Sequence, residues 1–159
     1  MAGFGAPPSG RFSAPGDTQR DCVEQQYQAW QQANDFLKPL ADKVDVLFPS
    51  LYTFYDQTHV NDWVRYAKGN IEEAHRYGKP AYPFLFMEYD PGTTLIGQQI
   101  PEDYWRVQLQ TLRTYAEGLV IWGGAHYSLV GDPAVSQGVI VPWDENAPWW
   151  IATKQFPLS

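Results

Sequence analysis

Apolar positions along the chain change period several times, and the changes mark out alternating helices and strands. Residues 1–17 show no hydrophobic period and are rich in Gly, Pro, Ala and Ser, so they read as a tail or loop. From Asp17-Thr18 onward, Val23, Tyr27, Trp30 and Leu37 recur at helical spacing as far as about Pro39. Residues 44–48 then form a short apolar run halted by Pro49-Ser50, which predicts a strand. Val60, Trp63, Val64, Ala67, Ile71 and Ala74 line one face of a second helix, with Thr58 placed to cap it. Gly78 is placed to end that helix in a left-handed conformation.

Residues 81–87 are nearly all apolar, the pattern of a strand buried on both faces, although Pro83 inside the run opposes full pairing. Pro101 sits at a first helical position, with Glu102 and Asp103 in the first turn where the helix dipole favours acids. Trp105, Leu109, Leu112 and Ala116 form the stripe of this third helix, and Gly118 ends it. A third strand follows at residues 119–122, closed by Gly123-Gly124, and a last short helix is expected over about 148–156.

The strand starts lie 36 and 38 residues apart. A strand, a helix and two loops need about 30 residues or more, so the steps fit βα units. Strict alternation implies a parallel sheet with right-handed crossovers that put the helices outside. Closing an eight-unit barrel takes about 250 residues. The fold class expected is therefore α/β, a partial (β/α) barrel with three parallel strands, intervening helices, and a leading and a trailing helix. Residues 18–159 form that half-barrel-like domain, behind the tail 1–17, with five barrel strands absent from the 159 residues.

Composition narrows the function classes. Net charge is −7, from 18 acidic and 11 basic residues, which opposes a nucleic-acid partner and an anionic membrane surface. No apolar run approaches the roughly 20 residues of a membrane span. The first ten residues lack the basic and apolar regions of a signal peptide, and the compartment stays open. Cys22 is the single cysteine, so no internal disulfide forms. The three histidines, His59, His75 and His126, have no metal-ligand spacing, and no Walker A loop, Rossmann fingerprint or nucleophile elbow occurs. No metal and no cofactor is expected. Aromatics are 16% of the chain, more than a core of this size uses, so some are expected to line a groove.

Sites in parallel α/β sheets form at the carboxyl ends of strands. Those ends carry Tyr52 and Tyr55, then Glu88, Tyr89 and Asp90, then Trp122 and His126. Aromatic faces stack on sugar rings, and carboxylates bind hydroxyls or move protons, so the mixture suits a carbohydrate ligand. Glu88 and Asp90 are the candidate catalytic pair. Two apart on a strand, they share a face at roughly 7 Å between Cα atoms. The competing reading makes Asp90-Pro91-Gly92 a turn and leaves Glu88 in solvent. Tyr52, Tyr55, Tyr89, Trp122 and His126 are the candidate substrate-binding residues, and Tyr52, Glu88 and Trp122 are expected to converge on one cleft. In the alternative, Trp122 packs under the last helix beside Trp149 and Trp150.

Phe48-Pro49-Ser50-Leu51-Tyr52 and Val120-Ile121-Trp122-Gly123-Gly124 resemble segments of the hyaluronidase-type glycoside hydrolases, which are (β/α) barrels. The likeness spans about residues 44–125 and matches the ends of that family's sixth and last strands. It implies that Tyr52 and Trp122 line a substrate cleft. The family's acid catalyst belongs to an Asp-x-Glu pair on an earlier strand, and no Asp-x-Glu occurs in this sequence. The chain is thus expected to supply substrate-lining residues without the acid machinery. It is expected to act as part of a carbohydrate-active barrel, as a non-catalytic carbohydrate-binding module, or as a structural half-barrel. Its expected macromolecular partners are a missing N-terminal barrel half or a second copy of itself.

Overall fold

The computed structural model describes residues 18–90, 92–122 and 144–157. The elements run α1 (Thr18–Asn34), a 3-10 turn (Asp35–Leu37), α2 (Lys38–Ala41), a second 3-10 turn (Gln57–His59), α3 (Val60–Arg76), β1 (Phe84–Phe86), α4 (Glu102–Tyr115), β2 (Val120–Trp122) and α5 (Pro148–Gln155). The tail 1–17 lies outside the described residues.

β1 and β2 are parallel, with Phe84 opposite Val120, Leu85 opposite Ile121 and Phe86 opposite Trp122. The expectation of three strands needs correction, because only two are regular. The first expected strand is present as isolated parallel bridges, Leu47 with Ala81, Ser50 with Phe84 and Thr53 with Tyr89. Proline explains the interruption. Leu47 N donates to Pro80 O, Tyr82 N to Leu47 O, Phe84 N to Pro49 O, and Leu51 N to Phe84 O. The rung missing from this series is the one Pro49 would donate, and proline has no N–H. Pro83 acts the same way on the other side: it accepts from Val120 N at 2.9 Å but cannot donate, so β1 begins only at Phe84.

Strand alternation separates two faces. Leu47, Leu51, Thr53, Ala81, Leu85 and Met87 are buried on one, in a core with Trp63, Ala67, Ile71 and Ala74 of α3 and Trp105, Leu109 and Leu112 of α4. These helical positions recur every three or four residues, which is why each helix turns one apolar stripe inward. The opposite face carries Phe48, Tyr82, Phe84 and Trp122, whose rings form a series across the sheet. Centroids lie 6.2 Å apart for Phe48–Tyr82, 5.6 Å for Phe48–Phe84 and 6.5 Å for Phe84–Trp122.

Gly78 ends the turn after α3 with φ +70°, the left-handed conformation expected of it. Gly118 serves a different purpose from helix termination, since α4 stops earlier, at Tyr115. A Cβ at position 118 lies 2.7 and 2.8 Å from two ring carbons of Tyr82. We expect Gly118→Ala to lower unfolding free energy by about 1–3 kcal/mol through overpacking. Urea denaturation of the single variants and of the double variant with Tyr82→Ala checks this. Strict additivity of the two changes refutes the steric account.

Candidate functional site

The carboxyl end of the sheet begins at Tyr52, Phe86 and Trp122. Phe86 is in register with Trp122, and its ring lies 6.0 Å from that of Tyr52, so the three share a face. Trp122 is 47% exposed and meets Phe84 edge to face at an interplanar angle of 84°. The alternative packing beside Trp149 is not seen among the described ring contacts. Trp149 instead pairs with Trp105 at 5.7 Å and Trp150 at 5.8 Å.

Glu88 follows Phe86 by two residues, and alternation places it on the Tyr52 and Trp122 side. It is only 4% exposed, which neither sequence reading anticipated. The chain folds back to cover it: Glu88 forms an antiparallel bridge with Gln99. Tyr89 N donates to Gln98 O at 3.0 Å, and Ile100 N donates to Met87 O at 2.9 Å. The turn that starts this return is built by Asp90. Its Oδ1 accepts from Gly92 N at 2.8 Å, while its carbonyl accepts from Thr93 N and Oγ1 at 3.0 Å. A carboxylate bonding the backbone two residues on is an Asx turn, the signal carried by Asp-Pro-Gly.

The remaining candidates are apart from this group. Tyr89 is 3% exposed and alternates to the helix side, where burial raises its phenol pKa, with Asp56 and Asp103 adding to the rise. Tyr55 is half-buried with its ring 6.4 Å from Tyr66. Its pKa is raised first by burial and then by Asp62. The carbonyl of Tyr55 accepts from Tyr104 Oη at 3.3 Å, and Tyr66 Oη donates to Ser50 O at 2.7 Å, so phenols from α3 and α4 anchor the backbone that presents Tyr52. His126 lies outside the described residues.

Asp56 is a residue whose role the sequence reading missed, having placed the helix cap at Thr58. Its Oδ1 accepts from Thr58 N at 2.8 Å and Thr58 Oγ1 at 2.6 Å, and it caps the 3-10 turn that leads into α3. The Thr58 hydroxyl, followed by His59, brings its carboxyl down to about 2. It is therefore ionised across the neutral range and serves as a cap rather than a proton donor. The signal was available: an Asp two residues before Thr58 is itself a preferred cap. Among the described residues no three His, Cys, Asp or Glu side chains form a group able to hold a metal ion. Nor is any described helix long and apolar enough to cross a membrane.

Parallel βα units with aromatic residues at their carboxyl ends place the chain with the glycoside-hydrolase-like folds, specifically the hyaluronidase-like one. Bee venom hyaluronidase, solved in a monoclinic crystal form, is one of three solved chains that match. The TM-score is 0.52 at 24% identity, covering 60% of this chain and 32% of that one. The likeness is one of fold, and this chain spans about a third of the length of the hyaluronidase chain. No family model matches the sequence, and no curated protein does.

Proposed function

We propose that this chain recognises carbohydrate, as the substrate-lining portion of a glycoside-hydrolase-like (β/α) barrel. The observation that carries the reading is the shared face of Tyr52, Phe86 and Trp122 at the carboxyl end of the sheet, with Glu88 two residues beyond. Trp122 offers an open aromatic surface for the apolar side of a pyranose. Tyr52 supplies a phenol for a ring hydroxyl. Glu88 is the carboxylate closest in sequence to that surface, and Asp90 is committed to the turn that covers it. Tyr55, Tyr89 and His126 are the less supported members of the set. The hyaluronidase likeness supports a sugar ligand as a class.

The chain carries no Asp-x-Glu pair, so it is expected to bind sugar with little or no turnover. Trp122→Ala should reduce affinity for a bound oligosaccharide by about tenfold or more, the scale of losing one stacked aromatic contact. Isothermal titration with a panel of oligosaccharides checks the binding, and chromogenic glycosides from acidic to neutral pH check the turnover. Unchanged affinity in Trp122→Ala removes the case for this face. Robust hydrolysis lost in Glu88→Gln instead makes Glu88 a catalyst.

The exposed aromatic face gives a second reading some support. Phe48 and Trp122 are 42% and 47% exposed on a parallel sheet, a kind of sheet that proteins cover on both sides. A second copy or further βα units would cover it, and sedimentation equilibrium separates a monomer from an assembly.

A further inference from the structure

The lining of this sheet end has no cationic side chain. Residues 44–64, 80–105 and 114–153, which contain all three strand ends and the segments leading from them, hold no Lys and no Arg. The same stretches hold eleven of the chain's 18 acidic residues. The described basic side chains lie elsewhere. Lys38, Arg65, Lys68, Arg76 and Arg106 are on helices and ion-paired to helix or turn carboxylates. Arg113 and Lys154 lie over the rings of Phe156 and Trp150. Lys43 and Lys79 precede Leu47 and Ala81, at the amino end of the sheet. The imidazoles in these stretches are His59, whose Nδ1 is 2.9 Å from Asp56 Oδ1, and His126.

A sugar acid brought to Tyr52 and Trp122 therefore meets Glu88, Asp90 and Asp56 with no guanidinium or ammonium to pair it. Carboxylates are recognised by Arg and Lys, and like charges brought together oppose binding and lower the encounter rate. A neutral glycan meets none of this opposition, because it binds through ring faces and hydroxyls. Ionised carboxylates are good acceptors for hydroxyl donors. Resting on the carbohydrate reading above, we propose that the Tyr52–Trp122 face selects uncharged hexose or N-acetylhexosamine chains and rejects uronic-acid polymers, the class to which hyaluronan belongs.

The test uses the whole chain labelled with 5-fluorotryptophan, the Trp122 signal being assigned by its loss in Trp122→Phe. Chitohexaose, cellohexaose and a hyaluronan hexasaccharide are titrated separately, followed by fluorine NMR and calorimetry at about 20 mM and about 500 mM NaCl, which span weak to strong screening. The expected result is a Trp122 shift with a neutral hexasaccharide and an affinity insensitive to salt. The hyaluronan hexasaccharide should bind at least about tenfold more weakly, and more weakly still at low salt, where repulsion is unscreened. Hyaluronan binding that equals the neutral sugars, or tightens at low salt, overturns the selectivity but keeps the sugar site. Binding that leaves the Trp122 signal unmoved overturns the placement. If no sugar binds at all, the carbohydrate reading itself fails and takes this inference with it.

Discussion

Replacing Trp105 by alanine should lower the free energy of unfolding by about 3–5 kcal/mol, the range for truncating a buried large aromatic. Trp105 is 0% exposed on the inner face of α4. Its indole meets Trp149 edge to face at 5.7 Å, and its Nε1 donates to Thr153 Oγ1 at 2.8 Å. Both contacts are to α5, so this side chain joins the trailing helix to the rest of the molecule. The alanine variant loses the buried apolar area, leaves a cavity, and strands the Thr153 hydroxyl. Trp105→Phe keeps much of the volume and gives up mainly the hydrogen bond, so it should cost less, about 1–2 kcal/mol. Urea denaturation measures both. A midpoint shift in the alanine variant no larger than in the phenylalanine variant contradicts a packing role and leaves only the hydrogen bond.

Glu73→Ala is the second large effect, at about 3 kcal/mol, because it removes one partner from a buried charged network. Glu73 lies on α3 and is 0% exposed, an unusual place for a carboxylate. Four bonds hold it there. Gln31 Nε2 and Asn34 Nδ2 of α1 each donate at 3.1 Å, while Arg76 donates from Nε at 2.8 Å and from Nη2 at 2.7 Å. Arg76 also reaches Asp35 Oδ1 at 2.7 Å. The network therefore docks α1 and the turn after it onto α3. Removing the carboxylate leaves the buried Asn34 amide without its acceptor and the guanidinium with its outer partner only. Glu73→Gln retains an acceptor for α1 but no charge for Arg76, so it should fall between wild type and alanine. Hydrogen exchange localises the effect: amides of residues 18–34 should lose protection first. Uniform loss of protection across α3, α4 and α5 argues against a docking role.

Glu73 also marks a limit of sequence reading. In the α3 pattern it is one of two adjacent acids beside an apolar stripe, and spacing alone assigns it to solvent. Only the approach of α1 makes position 73 an interior one, and the polar ends of Gln31 and Asn34 make the burial tolerable. The same holds for Glu88. Its place at a strand end was legible because a run of apolar residues, 81–87, precedes it. Its burial was not, because that depends on the chain returning from the Asp90 turn so that Gln99 bridges back to Glu88.

The sequence by itself determined the order of helices and the parallel arrangement, since periods of 3.6 and 2 and the spacing of βα units are local properties. It also determined which strand ends carry aromatic and acidic side chains, and the absence of any cation among them. Only the tertiary structure decided how much of each strand is regular. That outcome depends on which neighbour needs the N–H that Pro49 and Pro83 lack, and this is a matter of register between segments more than thirty residues apart. The tertiary structure likewise decided which candidates meet. Tyr52, Phe86 and Trp122 share a face because the Phe86–Trp122 pairing sets their alternation in common, whereas Tyr89, one residue beyond Glu88, turns toward the helices. A one-residue step along a strand exchanges cleft for core, and composition carries no information about that choice.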